Sequence, residues 1–223
     1  PENSDLPDLN IFYRTFGNIK NPAIVMIHGW PTSSYDFNEL INELKHDYYI
    51  AVIDTPGYGF SDKPKRGYYY SIPDDASLVD YFIQEILDLK KFILLTHDKG
   101  DSVGFAFLSL YQQKDSPAYQ IDHHVILNGG IYLPLAELSA AQKFLTLPFF
   151  GQVMTRFILT PDRFTSELAK VYSPELNPDE QLNMSSTFKY QGGTTVFPKT
   201  LRYLEDRRKL EITWLQTLAQ SQV

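Results

Sequence analysis

The sequence predicts an α/β protein with a mostly parallel sheet and a helical lid. Over residues 1–132, short apolar segments that suit strands alternate with segments of helical periodicity. Beyond Tyr132 the alternation stops, and several helical patterns follow one another, separated by Pro and Gly. Such alternation is typical of a parallel sheet with helices on both faces. A run of helices after this core indicates a lid over it.

Strand and helix signals follow each other regularly in the first half. Helices are predicted where apolar residues recur three or four positions apart, over DFNELINEL, from Pro73 onward and from Lys99 onward. Two of the strand segments are continuous apolar runs that end at glycine or proline, which suits strands buried on both faces. The predicted strands are LNIFYRTFG, AIVMIHGW, YYIAVIDTPGYG, KFILLT and HVILNGG.

The second half divides into a cap and a returning helix. We assign residues 1–132 to the core, residues 133–205 to a helical cap and residues 206–223 to a helix that returns to the core. The cap stretch FLTLPFFGQVMTRFIL is strongly apolar. This predicts a tunnel for a small apolar substrate, and the alternatives are the packed core of the cap or a membrane-facing patch.

Composition excludes several classes of function. The chain has 223 residues, 43% of them hydrophobic, which is enough for one sizeable domain. A formal net charge of −7 without any basic run argues against nucleic-acid binding. Because cysteine is absent, there are no disulfides and no thiol chemistry. With neither a signal-peptide pattern nor an apolar run of membrane length, we expect a cytoplasmic protein, and we assign it no cofactor and no metal ion.

Two candidate nucleophiles overlap in FILLTHDKGDSVGFAF, residues 92–107. A nucleophile elbow places its residue on the sharp turn between a strand and a helix. Asp98 lies two residues beyond the strand end at Thr96, and Gly100 permits close packing behind it. Ser102 completes a literal G-x-S-x-G but falls in the first helical turn, where it would bond locally to backbone. The spacing favours Asp98, which can also serve as the N-cap of the helix.

Three motifs together carry a resemblance to a known fold family. They are HGWP at 28–31, DTPGYGFSD at 54–62 and HDKGDSVGF at 97–105. The set resembles the α/β-hydrolase fold, and within it the aspartate-nucleophile branch of epoxide hydrolases and haloalkane dehalogenases. The segments LTHDKGDSVGF, LNGGIY and RYLEDRRKLEITWLQTL are also similar to the mesoderm-specific transcript proteins of that branch. The resemblance implies a hydrolase acting on a small epoxide or alkyl halide.

The resemblance also implies roles for individual residues. Asp98 would attack an electrophilic carbon and form an alkyl-enzyme ester. The backbone N–H groups of Trp30 and Lys99 would form the oxyanion hole for hydrolysis of that ester. The Trp30–Pro31 bond is expected to be cis. The motif residues with a structural role are His28, Gly29, Pro31 and Gly100.

A lid tyrosine is implied as the proton donor to the opening epoxide oxygen. Tyr203, in TLRYLEDR, stands where the family often keeps such a residue, and Tyr172 and Tyr190 are weaker candidates. Ordinary packing within the lid is the alternative for each of them. Their assignment therefore depends on whether the fold brings one of them next to Asp98.

The sequence departs from its relatives beside the nucleophile. Haloalkane dehalogenases usually grip halide with Asn after HG and Trp after the nucleophile, where this chain has Trp30 and Lys99. Fluoroacetate dehalogenases keep a cation after the nucleophile, as Lys99 would be, but add an arginine at the position of Ser102. A carboxylate substrate is therefore not favoured by this comparison, and Lys99 can equally be a solvated residue at the helix start.

No histidine of the sequence is expected to act as the base that hydrolyses the ester. Two of them should open the last strand, about 13–16 Å from its end. The others belong to the HGWP loop, a helix end and the strand before the nucleophile. We therefore expect the catalytic His, its acid and the last strands of the fold beyond Val223. The alternatives are a serine esterase using Ser102 and a non-catalytic binding protein. The five histidines are His28, His46, His97, His123 and His124.

Overall fold

A five-stranded sheet forms the centre of the fold. The computed structural model describes residues 8–136, 140–147, 153, 155, 160–172 and 177–223. The strands are β1 Tyr13–Phe16, β2 Ala23–Ile27, β3 Tyr49–Ile53, β4 Lys91–His97 and β5 Gln120–Leu127. Their order in the sheet is β1-β3-β2-β4-β5, with β1 antiparallel to β3 and the other neighbours parallel. This confirms the predicted α/β architecture with a mostly parallel sheet.

Helices connect the strands and follow the last one. In the core they are α1 Asn38–Leu44, α2 Ile72–Tyr81 and α3 Lys99–Gln112, and α2 continues into a π-helical turn at Phe82–Ile86. After β5 the described helices are α4 Ala140–Leu145, α5 Pro161–Tyr172, α6 Pro178–Lys189, α7 Phe197–Thr200 and α8 Tyr203–Gln220. None of the helices in the described ranges is both long and apolar enough to cross a membrane.

Local sequence explains where two of these helices begin. The Ser71 hydroxyl accepts a hydrogen bond from the Asp74 N–H at the start of α2, and Pro73 lies within its first turn. At the start of α6, the Asn177 side chain and Glu180 form a reciprocal capping box. These side chains satisfy N–H groups that the helix itself leaves without partners.

The chain between Phe197 and Gln220 forms two helices, α7 and α8. The break falls at Leu201 and Arg202, where the backbone tightens because the Arg202 N–H donates to the Lys199 carbonyl three residues back. As a result, α8 begins at Tyr203 and runs across the boundary that the sequence places between residues 205 and 206. The apolar cap stretch FLTLPFFGQVMTRFIL lies mostly outside the described residues.

The core lies on both faces of the central strands. Every residue of β2 and of β3 is buried, as expected for strands covered by helices on two sides. The larger apolar cluster joins α2 and α3 to one face of the sheet, and a second cluster contains Phe37 and Ile41. This packing fixes the carboxyl end of β4, where the candidate nucleophile follows.

Helix α8 packs against α3, on the face of the sheet that α2 and α3 cover. Trp214 is buried there, and the Gln112 side chain donates to the Thr217 carbonyl over 3.1 Å. A separate aromatic group connects the later helices to the HGWP loop: Phe197 contacts Trp30, Phe164 and Phe188 edge to face. The packing of α8 on α3 and the ring contacts of Phe197 together bring the start of α8 close to the start of α3.

The close approach of α3 to β2 makes a prediction about Gly100. A Cβ at Gly100 would lie 2.3 Å from the Ile27 carbonyl oxygen. This is a backbone atom, so moving it costs free energy because the strand must shift. Alanine favours a helix over glycine by about 1 kcal/mol, whereas overpacking costs about 1–3 kcal/mol or more. We expect Gly100→Ala to lower the free energy of unfolding by about 2 kcal/mol, measured by urea denaturation.

The matched control is Gly130→Ala, because a Cβ there would lie 3.3 Å from the Ala136 Cβ, a side chain that can give way. We expect this control to change stability by less than about 1 kcal/mol. A Gly100→Ala protein as stable as the parent would contradict the close packing of α3 on β2.

Candidate active site

Asp98 occupies a left-handed turn between β4 and α3. Its φ of 54° and ψ of −113° lie where a residue with a side chain is uncommon. The Asp98 N–H donates to the Leu127 carbonyl over 2.9 Å, which ties the turn to the end of β5. Such a conformation persists only when its surroundings enforce it, and it is frequent at functional sites. The turn after the predicted strand is therefore present, with Asp98 at its apex.

Two glycines make room for this turn. A Cβ at Gly29 would lie 2.6 Å from the Asp98 Cβ, so the HGWP loop can approach Asp98 only without a side chain there. Gly100 lies against the Ile27 carbonyl behind the turn. The approach of the loop allows the Trp30 N–H to donate to Asp98 Oδ1 over 2.8 Å. The Asp98 carboxylate is thus oriented by the backbone of Trp30.

The capping interpretation of Asp98 is wrong as far as its side chain is concerned. Asp98 stands at the N-cap position of α3, but its carboxylate makes no capping hydrogen bond. The carboxylate turns instead towards the Trp30 amide. It still lies at the amino-terminal end of α3, where the helix dipole is positive.

The HGWP loop is held by His28. Its Nδ1–H donates to the Gly29 carbonyl over 2.8 Å, and its Nε2 accepts the Thr55 N–H over 3.2 Å. Burial lowers the pKa of His28 to about 4, so the ring is neutral at physiological pH. The Trp30–Pro31 peptide is cis, as predicted. Because both ring nitrogens of His28 are engaged with backbone, its arrangement is that of a structural residue.

Lys99 points into the protein, and the interpretation of its side chain as solvated is wrong. The side chain is 3% exposed. Its Nζ forms an ion pair with Asp75 over 2.5 Å, contacts Thr55 Oγ1 at 3.3 Å and lies over the Tyr58 ring. The first residues of α3 are all buried, so the long stem of Lys99 is enclosed by the protein. The ammonium group is occupied by Asp75 and is not available to a substrate carboxylate.

Ser102 lies inside α3 and is not on a turn. It is 1% exposed, and its hydroxyl accepts a hydrogen bond from Arg207 Nε over 2.7 Å. The expectation of a bond to local backbone is therefore corrected, because the contact spans 105 positions of sequence. A guanidinium donor cannot remove a proton from this hydroxyl, so the arrangement does not activate Ser102 as a nucleophile.

A cavity of about 720 Å³ opens beside Asp98. Tyr203 contributes to its wall, and the Tyr203 oxygen accepts a hydrogen bond from Gln142 Nε2 over 3.2 Å. Burial, with a further contribution from the Asp98 charge, raises the pKa of Tyr203 well above its usual value. The cavity lining is Asp98, Asn128, Gly129, Gly130, Ala136, Gln142, Lys143, Tyr203, Leu204, Arg207 and Arg208.

The other two tyrosine candidates are not brought to this cavity by the described side chains. Tyr190 is 38% exposed, and its ring contacts Phe60 and the ammonium group of Lys63. Tyr172 ends α5, and its side chain lies outside the described residues. Of the three tyrosines, Tyr203 is the one whose described side chain lines the cavity with Asp98.

None of the five histidines, all of which lie in the described part of the chain, lines this cavity. His123 and His124 are in the middle of β5 and not at its start, because the strand begins at Gln120. His124 Nε2 lies 3.0 Å from Thr96 Oγ1, and burial lowers the pKa of His124 to about 4. That none of them serves as the base stays a prediction.

Two buried charged side chains near the turn were not identified from the sequence. Arg207 on α8 donates from Nη2 to the Asp98 carbonyl over 3.2 Å, in addition to its bond to Ser102. Asp101 accepts a hydrogen bond from Thr96 over 2.5 Å, and burial raises the pKa of Asp101 to about 6. The position of Arg207 four residues after Tyr203 places both on one helical face, which is a signal that the sequence contains.

Comparison with known proteins identifies the fold. Residues 22–118 match the family described as alpha/beta hydrolase fold. The mesoderm-specific transcript homolog protein of Bos taurus is 32% identical over 222 residues, which cover 95% of this chain and 64% of that protein. Among solved structures, an epoxide hydrolase of Bacillus megaterium in complex with an inhibitor is similar, with a TM-score of 0.64. Its sequence identity is 19%, and the similarity covers 90% of this chain and 72% of that chain. The haloalkane dehalogenase DbeA-M1 loop variant from Bradyrhizobium elkanii gives a TM-score of 0.69 and 18% identity, over 95% and 76% of the two chains.

The chain therefore has the α/β-hydrolase fold, as the sequence motifs predict. The similarity to the mesoderm-specific transcript homolog protein confirms the branch that the three sequence motifs indicate. The epoxide hydrolase and the dehalogenase share the fold at 18–19% identity. The chain spans 64% of the length of the bovine relative.

The buried ion pair of Lys99 and Asp75 makes a prediction about stability and pH. Replacing Lys99 by Met leaves the Asp75 carboxyl buried without its cation, which costs about 3–5 kcal/mol of the free energy of unfolding. Burial already raises the pKa of Asp75, and losing the ammonium group raises it further. The folded protein then keeps a proton that the unfolded chain releases, so the loss of stability should grow as the pH rises above the ordinary pKa of Asp and shrink on acidification. Urea denaturation at about pH 5 and about pH 8 measures both effects.

The control is Lys90→Met, which breaks the pair with Asp88, where both side chains are more than 70% exposed. This variant should change stability little at either pH. The double variant Lys99→Met with Asp75→Leu should recover part of the lost stability, because no charge stays buried. Equal effects of Lys99→Met and Lys90→Met would contradict the importance of the buried pair.

Proposed function

We propose that this protein is an epoxide-hydrolase-like enzyme in which Asp98 attacks an epoxide carbon and forms an alkyl-enzyme ester. The observation that carries the proposal is the position of Asp98. Its carboxylate stands on the left-handed turn after β4, with Oδ1 held by the Trp30 N–H at 2.8 Å and a cavity beside it. A carboxylate fixed in this way presents Oδ2 to the cavity as a nucleophile.

Ring opening requires one proton, which neutralises the negative charge on the ring oxygen. Asp98 Oδ2 forms a bond to an epoxide carbon while the bond between this carbon and the ring oxygen breaks. The oxygen develops negative charge and takes the phenolic proton of Tyr203. Since Gln142 donates to the Tyr203 oxygen, the phenolic hydrogen is not needed for that bond and can point into the cavity. Protonation of the developing alkoxide removes the charge that otherwise opposes ring opening.

Hydrolysis of the ester forms the second half of the proposed reaction. Water adds to the ester carbonyl, and the resulting oxyanion develops on the oxygen that the Trp30 N–H already contacts as Oδ1. The Lys99 N–H, in the first turn of α3, is the second donor in the proposal. This step requires a general base, and no described histidine lines the cavity. The described residues that line the cavity therefore support ester formation as the proposed reaction of this chain.

An epoxide is favoured over an alkyl halide by the residues around Asp98. The Trp30 Nε1–H donates to Thr200 Oγ1 over 3.1 Å, and the Lys99 ammonium is paired with Asp75. Neither group is free to hold a leaving halide ion. Tyr203, in contrast, is a proton donor of the kind that an opening epoxide requires. Helices α4 to α7 are proposed to form the cap over this site.

A serine esterase using Ser102 is the rival function. The Ser102 hydroxyl is 1% exposed and bonded to Arg207. An organophosphorus fluoride reacts with an activated serine and not with a carboxylate nucleophile. Labelling of Ser102 by such a reagent would favour the esterase over the aspartate enzyme.

The principal prediction is a covalent adduct on the protein. After incubation with a small reactive epoxide, the intact protein should gain the whole mass of the epoxide, because addition of a carboxylic acid to the ring releases nothing. Without a base to hydrolyse it, the ester should accumulate. Intact-mass spectrometry measures the gain, and Asp98→Asn should abolish it, because an amide is a far weaker nucleophile.

Asp122→Asn is the control, because Asp122 lies on β5 and pairs with Lys91 away from the cavity. It should react at the rate of the parent protein. Equal labelling of the Asp98→Asn variant and the parent would exclude Asp98 as the nucleophile.

Tyr203→Phe tests the proton donor separately. Removing a general acid typically slows a reaction by about 10²–10⁴-fold, so adduct formation should slow by about 100-fold. Tyr190→Phe, at a tyrosine that lies against Phe60 and Lys63, should leave the rate unchanged. The rate is measured from the growth of adduct mass with time. An unchanged rate in Tyr203→Phe would assign protonation to water or to another group.

A further inference from the structure

Arg207 places a buried positive charge at the wall of the cavity. The side chain lies on α8 and is 6% exposed. It reaches the elbow from the opposite side to Lys99, with Nε on Ser102 and Nη2 on the carbonyl of Asp98. Its guanidinium also lies 4.7 Å from the centre of the Tyr203 ring. The charge is therefore held in one position between the nucleophile and the proposed proton donor.

No carboxylate among the described residues forms an ion pair with Arg207. Its two hydrogen-bond acceptors are a hydroxyl and a backbone carbonyl, which are both neutral. Lys99 differs, since its ammonium is compensated by Asp75 at 2.5 Å. A cation removed from water is costly unless an anion compensates it. Among the described residues, Arg207 thus has no carboxylate in direct contact, and its charge reaches the buried Asp101, where it opposes the rise in pKa that burial causes.

The free end of the guanidinium faces the cavity. A Cβ at Gly130 would lie 3.5 Å from Arg207 Nη1, and Gly130 lines the cavity together with Asp98. Nη1 has no hydrogen-bond partner among the described residues. Because Gly130 carries no side chain, a ligand can approach Nη1 directly. The two N–H groups of Nη1 are therefore available to an acceptor in the cavity.

Most of the charged residues that line the cavity are positive. Among the described residues that line it, Asp98 is the only acid, whereas Lys143, Arg207 and Arg208 are cations. Lys143 and Arg208 are exposed, so they contribute to the potential at the mouth more than to a specific contact. This arrangement favours an anion in spite of the ionised nucleophile.

We infer that the site takes an epoxide that carries a carboxylate, and that Arg207 binds this carboxylate through Nη1. The inference rests on the proposed function and specifies its substrate class. In the reaction the substrate carboxylate is unchanged and stays paired with Arg207, while Asp98 forms the bond to the ring carbon and the ring oxygen takes a proton. Arginine suits this role because its planar N–H groups match the geometry of a carboxylate.

The same geometry limits the size of the substrate. Nη2 lies 3.2 Å from the backbone carbonyl of Asp98, and Arg207 lines the same cavity as Asp98. The carboxylate of the substrate should therefore be only one or two bonds from the epoxide ring. The predicted apolar tunnel arises from a stretch that lies mostly outside the described residues, whereas the described wall is charged.

The test compares two epoxides of nearly equal shape, glycidate with a carboxylate and glycidamide with a neutral amide. The rate of adduct formation on the intact chain is measured by mass spectrometry at several concentrations of each. A hydrogen-bonded charge pair is worth about a tenfold preference or more, so glycidate should react about tenfold faster at low concentration. Arg207→Gln should remove this preference, and Arg207→Lys should restore part of it.

Lys209→Gln is the matched control, because it removes a positive charge from the same helix at an exposed position that does not line the cavity. It should keep the preference for glycidate. The rate with glycidamide shows whether the Arg207 variants retain a folded elbow, because this epoxide does not need the charge. Equal rates of the parent protein with both epoxides would overturn the assignment of Arg207 and leave Asp98 as the nucleophile.

A binding measurement separates this inference from the proposed function. Propanoate, which cannot react, should bind the parent protein in a calorimetric titration and should bind Arg207→Gln at least about tenfold more weakly. If neither epoxide labels the protein but propanoate binds through Arg207, the proposed chemistry fails and the anion site stands. If propanoate binds the parent and Arg207→Gln equally, the anion site fails.

Discussion

The left-handed turn at Asp98 is the constraint on which the rest of the site depends. A residue with a side chain adopts this conformation only where neighbouring backbone enforces it. Here the enforcement comes from the bond of the Asp98 N–H to Leu127, and from the absence of side chains at Gly29 and Gly100. The turn lifts the carboxylate away from α3 and towards the Trp30 amide. This backbone conformation places one carboxylate, that of Asp98, at the edge of the cavity.

Much of this arrangement could be predicted from the sequence, because it is built from contacts within short motifs. The turn residue, the glycine behind it and the HGWP loop each follow from the order of a few adjacent residue types. The buried, neutral His28 follows from the same loop, since its ring bonds to the next residue and to the motif at Thr55. Strand runs such as that of β2 are also local signals, because burial on both faces requires every side chain to be apolar.

The charges of the site could not be predicted in the same way. Lys99 is next to Asp98 in sequence, but the direction of its side chain is decided by Asp75, which belongs to α2. Arg207 meets Asp98 across 109 positions of sequence, and only the packing of α8 on α3 brings them together. A long charged side chain can point into the protein or into water, and its distant partners decide which. The sequence thus indicates which residues are charged, whereas tertiary packing decides which of them face the cavity.

Two buried cations lie near Asp98, and they differ in their partners. Lys99 is neutralised by Asp75 and contributes to holding α3 against α2, whereas Arg207 keeps N–H groups directed at the cavity. Arg207 lines the same cavity as Asp98, whereas the ammonium group of Lys99 is occupied within the protein.

The measurement that tests the central claim most directly is the position of the covalent bond. The protein is incubated with an epoxide, cleaved with a protease, and the labelled peptide is fragmented in a tandem mass spectrometer. The account predicts that the added mass is found on Asp98, within the peptide that contains the turn between β4 and α3. Added mass on Ser102 or on Asp101 would show that a different residue reacts and would contradict the account.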